Sequence, residues 1–161
     1  MRGRLVGLAI LTVIALVISY FSEANRDDAG VVTKSGDVSA AEVQVGDCFD
    51  DLSQFSEASS TFTSVHAVPC NEAHSWQAFH ESESTLESYS EGDIKADAEA
   101  ICDSATQSLI YNMSSIKYDA FKNSQIQYFF PTYKSWTLKG DRKVQCLLGS
   151  DDETYFTSVF D

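Results

Sequence analysis

The chain has 161 residues, which is room for one ordinary domain, and its formal net charge is -13 at pH 7. Hydrophobic residues make up 43% of the chain, and many of them are concentrated at the N-terminus rather than spread through a core. Because so acidic a surface repels phosphate backbones, the composition argues against nucleic acid as a partner.

An uncharged apolar segment runs from Leu5 to Phe21. As a helix it would cover about 26 Å, close to the thickness of a membrane core. Two arginines precede the segment and acidic residues follow it, so the positive-inside rule keeps residues 1–4 in the cytoplasm. We therefore expect a single-pass signal anchor at residues 5–21 in the cell membrane, with the rest of the chain on the outer side.

A cleaved signal peptide is the alternative. Ser22 and Ala24 are small residues at the two positions that a signal peptidase reads, so cleavage would follow Ala24. The apolar segment is longer than a typical signal-peptide core, which favours the retained anchor. Both alternatives export the remainder, in which 9 basic and 24 acidic side chains give a formal charge of -15.

The composition changes at Glu42. Residues 22–41 are rich in Asp, Gly, Ser, Ala and Thr, which predicts a flexible stalk. From Glu42 apolar and polar residues alternate, as in a half-buried strand, and Gly46 marks a turn. The extracytoplasmic domain is therefore expected to span residues 42–161, with a polar loop at 51–61.

Two short strands and one long helix follow. Residues 65–70 and 76–80 alternate around a turn-like segment, which predicts a hairpin. Asp93 is a suitable N-cap for a helix with Cys102 on its apolar stripe. The stripe consists of apolar residues at steps of three and four, namely Ile94, Ala98, Ile101, Cys102, Ala105 and Leu109. This stripe is expected to lie on a sheet, with Cys102 in the contact layer.

The C-terminal third predicts mainly strands. Residues 115–121 form a short irregular or helical piece, and the apolar runs at 126–130, 143–148 and 154–160 each favour a strand. Strands with one principal helix predict an α+β domain. We expect a small, mostly antiparallel sheet with the helix packed on one face.

Four cysteines, Cys48, Cys70, Cys102 and Cys146, all follow the apolar segment. An even number in an exported chain indicates two structural disulfides. Three pairings are possible, and sequence order favours Cys48 with Cys70 and Cys102 with Cys146, because each bridge would join neighbouring elements. On the loop-entropy argument each bridge would stabilise the domain by roughly 3 to 4 kcal/mol.

His66, Cys70 and His74 lie close along the chain, which suggests a zinc site or a cysteine nucleophile with a histidine base. An oxidised Cys70 would offer no thiolate, and no third residue suggests itself to orient the base. The chain also lacks a Gly-x-Ser-x-Gly elbow and a glycine-rich phosphate loop. The favoured interpretation is a non-enzymatic domain without metal or cofactor. The alternative is an exported metal-binding or hydrolytic enzyme that uses these three residues.

Aromatic residues are dense for a small domain, and most of them are expected in the core. An exposed subset around Tyr133 and Trp136 would instead form a binding patch, since aromatic side chains carry much of the energy at interfaces. His74 is a further candidate for this patch.

Five sequence features follow one another along the chain: VGDCF at 45–49, VPCNEAH at 68–74, Cys102, PTYKSW at 131–136 and GDRKVQCLL at 140–148. Together they resemble the septum-formation family of actinobacterial envelope proteins, over roughly residues 42–148. The resemblance implies a small extracytoplasmic domain on a transmembrane helix, linked to division-septum formation. It implies no catalytic residues, and the expected partner is an envelope protein or a wall component.

The chain departs from this family at Gln77, where the family tends to place an acidic residue three positions after the histidine. The other motif residues have structural interpretations. Gly46 and Gly140 are expected to give backbone freedom at turns, and Asp141 or Arg142 to cap or pair locally.

Overall fold

A computed structural model describes residues 23–52 and 64–160. Within these ranges the chain forms an α+β fold with three α-helices and antiparallel strands. The strands are β1 (Asn25–Arg26), β2 (Val32–Lys34), β3 (Gly36–Ser39), β4 (Cys48–Phe49), β5 (Ser64–Val68), β6 (Trp76–Glu83), β7 (Gln125–Phe129) and β8 (Lys143–Gly149), and the helices are α1 (Glu91–Asn112), α2 (Ser115–Phe121) and α3 (Tyr133–Lys139).

The predicted anchor at residues 5–21 lies outside the described residues, as does most of the polar loop predicted at 51–61. Among residues 23–52 and 64–160, no helix combines the length and the apolar character that a membrane span needs.

Six strands form the main sheet in the order β3-β5-β4-β6-β8-β7, and every neighbouring pair is antiparallel. This confirms the predicted antiparallel sheet. Side chains of β8 alternate between two cores: Cys146 packs on the side of α1, and Leu147 packs on the opposite side. The sheet is therefore covered on both faces, where one covered face was expected.

Helix α1 forms as its apolar stripe predicts, with Ile94, Ala98 and Cys102 buried. It begins at Glu91 after Ser90, earlier than the predicted start after Asp93. Glu91 and Asp93 therefore both lie in the first turn, where their negative charges interact favourably with the helix dipole. The helix packs against β6, β7 and β8.

The predicted flexible stalk is wrong for residues 23–41, because these residues form β1, β2 and β3. Strand β3 pairs with β5, with Val38 opposite Val65. Val32 and Val38 are buried in the core on the face opposite α1. The composition of residues 22–41 is polar on average, and this average hid the two valines that are buried in the core.

An ion pair fastens this N-terminal segment to the sheet. Arg26 Nη1 lies 2.5 Å from Asp47 Oδ1, and Nη2 lies 2.6 Å from Oδ2, so the contact is bidentate. The buried Asp47 also accepts the backbone N–H of Gln44 at 2.8 Å. The hydrogen bond to Asp47 raises the pKa of Arg26. The turn before Asp47 uses Gly46 at φ +102°, as predicted.

The predicted hairpin is wrong, although both of its strands form. Strand β4 lies between β5 and β6, and its Cys48 pairs with Val68 on one side and Gln77 on the other. The turn at 71–74 therefore connects strands that are not neighbours. A two-residue strand carries too little pattern to reveal this insertion from sequence.

The C-terminal third contains two further differences. The strands predicted at 126–130 and 143–148 are confirmed as β7 and β8, and the piece at 115–121 is helical. The strand predicted at 154–160 is wrong: the segment forms turns, with one bridge between Tyr155 and His74. Helix α3, on the other hand, is absent from the sequence prediction.

Candidate functional site

All four cysteines are oxidised, in the pairing that sequence order favoured. Cys48 is bonded to Cys70 and Cys102 to Cys146. Cys70 therefore offers no thiolate to a metal or to a substrate. Within the described part of the chain, no group of three or more His, Cys, Asp or Glu side chains is placed to hold a metal ion.

The two histidines of the proposed metal or catalytic set are in different environments. His66 is exposed, and its Nδ1 lies 3.3 Å from Asp37 Oδ1. His74 is only 1% exposed, and its Nδ1–H donates to Glu72 O at 2.9 Å. Its Nε2 is buried without a hydrogen-bond partner in the described residues. Burial lowers the pKa of His74, which favours the neutral ring.

Gln77, the departure from the family pattern, holds the C-terminal segment against the sheet. Its Oε1 accepts the backbone N–H of Val159 at 2.6 Å, and its Nε2 donates to Ser158 Oγ at 2.8 Å and to Gly46 O at 3.3 Å. An ionised carboxylate at this position would have no hydrogen to donate. The amide is therefore explained by these contacts.

Helix α3 positions the most exposed of the motif residues. Thr132 Oγ1 accepts the backbone N–H of Ser135 at 3.1 Å, and Ser135 Oγ accepts that of Thr132 at 3.0 Å, which forms a capping box. The helix ends at Gly140, which adopts the left-handed conformation expected of it, with φ +67°. Two sequence-local devices thus fix both ends of a seven-residue helix.

Trp136 anchors α3 to the domain. It is 5% exposed, and the guanidinium carbon of Arg142 lies 3.4 Å from the centre of its ring. The ring of Tyr89 packs edge-on against both Trp136 and Tyr133, with centroids 5.8 and 5.6 Å apart. Tyr133 is 66% exposed.

The structure therefore brings only part of the predicted binding patch together. Tyr133 is at the surface and Trp136 supports it from below, both in contact with Tyr89. His74 is buried beside Tyr155 and belongs to the C-terminal bridge instead. The surface that remains is centred on α3.

A groove of about 690 Å³ lies beside α3. Residues of α3 line it together with the last residue of β3, Ser39, and with Phe129 at the end of β7. Gln145 also lines it, and its Nε2 donates to Val43 O at 2.6 Å, which joins β8 to the segment after β3. The groove therefore lies where both edge strands of the sheet end.

The groove is less acidic than the chain as a whole, because three lysines and two carboxylates, Glu91 and Asp141, line it. Four of the chain's 11 Lys and Arg residues lie between positions 134 and 143. Lys134, Lys139 and Lys143 line the groove, and Lys143 Nζ is 3.0 Å from Glu81 Oε2. Neither Lys134 nor Lys139 forms an ion pair within residues 23–52 and 64–160. Two ammonium groups thus remain available to a ligand.

Exposed apolar side chains also line the groove. Leu138 is 74% exposed although it is apolar, and the aromatic Tyr133 of the same helix also lines the groove. Burial raises the pKa of the Tyr89 phenol, as does the nearby Glu91, so the phenol stays neutral. The arrangement can bind a ligand with both apolar and anionic groups.

The aromatic pattern of the sequence does not single out four residues that line the groove, namely Tyr89, Lys134, Leu138 and Lys139. The available signal is the concentration of basic residues between 134 and 143 in an acidic chain. No protein family, curated protein or solved structure matches this chain. The resemblance to the septum-formation family stays a prediction that rests on the five sequence segments.

Proposed function

We propose that the chain is a non-enzymatic binding module of the cell envelope, anchored in the membrane by residues 5–21. The groove beside α3 binds an envelope protein or a wall component on the outer side of the membrane. The observation that carries this proposal is the groove itself, with exposed Tyr133 and Leu138 and with two lysines, Lys134 and Lys139, that form no ion pair among the described residues. Its volume of about 690 Å³ lies within the range of ligand sites.

Two further observations support the proposal. Two disulfides agree with an oxidising compartment, which an exported domain reaches. Two of the three residues of the enzymatic alternative have structural roles: Cys70 is bridged and His74 is buried in the C-terminal bridge, which leaves only the exposed His66. The link to division rests on the family resemblance alone.

Photo-crosslinking in cells tests the binding role of the groove. A photoreactive amino acid at Tyr133 is expected to form an adduct with one envelope component. Tyr111 is the matched control, because it is an exposed aromatic residue on α1 outside the groove. Equal adducts from both positions, or none from Tyr133, would contradict a binding role for the groove.

Localisation tests the septal part separately. A fluorescent fusion that matures outside the cytoplasm is expected to concentrate at division septa. An even distribution at all growth stages, together with normal division after deletion of the gene, would remove the septal link and leave the binding role standing. The mass of the mature chain tests the anchor, since cleavage after Ala24 would shorten it.

A further inference from the structure

We propose that the groove beside α3 takes an acidic polypeptide segment that carries apolar side chains. This inference rests on the proposed function, because it names the class of ligand for the same groove. It is carried by two groove lysines without a carboxylate partner in the described residues, Lys134 and Lys139, and by the exposed apolar side chains beside them.

Charge complementarity selects an anionic partner. The chain as a whole carries a formal charge of -13, so its surface repels an acidic segment over most of its area. Lys134 and Lys139 lack carboxylate partners in the described residues, and they line the groove. The lining carries three lysines against two carboxylates, so an acidic segment is attracted to Lys134 and Lys139 and repelled by most of the remaining acidic surface.

No guanidinium is among the described residues that line the groove. Arg142 lies over Trp136, and its Nη1 donates to Asp141 O at 2.9 Å, so its guanidinium is committed to the domain. Thr132 holds the backbone N–H of Ser135 at the start of α3. Two carboxylates, those of Glu91 and Asp141, also line the groove. This mixture disfavours a densely charged polyphosphate more than it disfavours a polypeptide whose carboxylates are spread out and can reach Lys134 and Lys139.

Apolar contacts favour the same class of ligand. Lys134 and Leu138 are four residues apart on α3, so they share one face of the helix. Leu138 is 74% exposed and Tyr133 is 66% exposed. A segment that places an acidic side chain at Lys134 can therefore cover Leu138 with an apolar side chain. Aromatic and aliphatic anchors of this kind supply much of the binding energy at interfaces.

Fluorescence anisotropy with the full, oxidised chain in detergent tests the inference. The probe is a short labelled peptide of Glu, Asp, Leu and Phe, and its counterpart carries Lys in place of each acid. We expect the acidic peptide to bind and the basic one not to bind. The double substitution Lys134→Glu and Lys139→Glu is expected to weaken binding by about tenfold or more. The exposed Leu138→Ser is expected to weaken it by about threefold or more.

Lys122→Glu is the control for a charge reversal outside the groove, because Lys122 is exposed and does not line it; this variant reverses one charge where the double variant reverses two. We expect it to change affinity by less than about twofold. An equal loss with Lys122→Glu would mean general charge attraction and would overturn the inference. Binding of polyphosphate through Lys134 and Lys139, without binding of the acidic peptide, would also overturn the inference.

The crosslinking experiment separates this failure from that of the proposed function. A Tyr133 adduct in cells without binding of the acidic peptide would leave the groove as a binding site and remove only the ligand class. The absence of both would remove the proposed function with the inference. Peptide binding that depends on both lysines, together with a Tyr133 adduct to a protein, would support both.

Discussion

His74 is a titratable group buried where the C-terminal segment meets the start of β6. Its backbone N–H and C=O both bond to Tyr155, at 3.0 and 2.7 Å, while its Nε2 finds no partner in the described residues. A second proton would place a charge at this buried nitrogen. The side chain therefore links the pH to the attachment of the C-terminal segment.

The sign of this linkage follows from the direction of the pKa shift. Burial lowers the pKa of His74 below 6.5, so the unfolded chain binds the proton more readily than the folded chain. The contribution of the neutral His74 to the free energy of unfolding is fully present above pH 6.5 and is lost as the pH falls through the pKa of His74 in the folded chain. We expect the wild-type chain to lose stability in this window by up to about 1.4 kcal/mol per pH unit more than His74→Gln.

Urea unfolding between about pH 8 and pH 5 measures this difference. His66→Gln is the control, because the His66 side chain is 45% exposed and lies outside the C-terminal bridge. That variant is expected to keep the pH dependence attributed to His74. Identical pH profiles for the wild-type chain and His74→Gln would refute the role of His74.

Gln77 joins β6 to the C-terminal segment through both ends of its amide. Gln77→Ala would leave the backbone N–H of Val159 and the hydroxyl of Ser158 without these partners. An unsatisfied buried group costs about 1 to 3 kcal/mol, so we expect a loss of about 2 kcal/mol or more in the free energy of unfolding. Gln127→Ala, at an exposed position of β7, is expected to cost less than about 0.5 kcal/mol.

Hydrogen exchange at the Val159 amide separates a local effect from a global one. The amide is expected to exchange faster in Gln77→Ala even where the sheet remains protected. Unchanged protection at Val159 would mean that the amide of Gln77 does not hold this segment.

At the scale of the elements, the two disulfides differ in what they join. The Cys102–Cys146 bridge connects α1 to β8 across 44 residues, and the Cys48–Cys70 bridge closes 22 residues between β4 and the turn after β5. Loop entropy predicts losses of about 4 and about 3 kcal/mol when each pair is replaced by alanine. Denaturant unfolding of the two double variants measures which loss of stability is larger. A larger loss for the shorter loop would contradict the entropic account.

The elements that could be predicted from the sequence are those with long or repeated patterns. Helix α1 carries its apolar stripe over 22 residues, and β7 and β8 have apolar runs of ordinary strand length. Cysteine order also gave the correct disulfides. These features depend on local spacing, which a sequence displays directly.

The elements that could not be predicted depend on tertiary contacts. Helix α3 has only seven residues and is held by Trp136 under Arg142. The segment at 154–160 has apolar residues like those of a strand, but Gln77 and His74 take the hydrogen bonds that a ladder would need. The groove was likewise hidden, because Tyr89 and α3 are far apart in sequence and meet only in the fold.

At the scale of the whole molecule, the described strands begin closer to the N-terminus than the composition of residues 22–41 suggested. Glu23 already bridges to Asp37, and β1 begins at Asn25, whereas the predicted anchor ends at Phe21. If the anchor is retained, the domain starts at the membrane surface without a stalk.

Truncation tests how much the N-terminal segment contributes. A chain that starts at Glu42 lacks β3, the buried Val32 and Val38, and the Arg26 partner of Asp47. Burial of each valine contributes about 1.5 kcal/mol or more, and an unpaired buried carboxylate costs about 3 to 5 kcal/mol. Their sum is comparable with the whole stability of a small domain. We therefore expect residues 42–161 to lack cooperative unfolding, and residues 23–161 to keep it.

The full chain with Arg26→Ala separates the ion pair from the strands in this comparison. It keeps β3 and both valines but leaves Asp47 without its bidentate partner, so it is expected to lie between the two truncated chains in stability. Thermal unfolding followed by near-ultraviolet circular dichroism measures all three. Equal stability of residues 42–161 and 23–161 would mean that β3 and the ion pair add nothing to the fold, and it would restore the interpretation of residues 23–41 as a stalk.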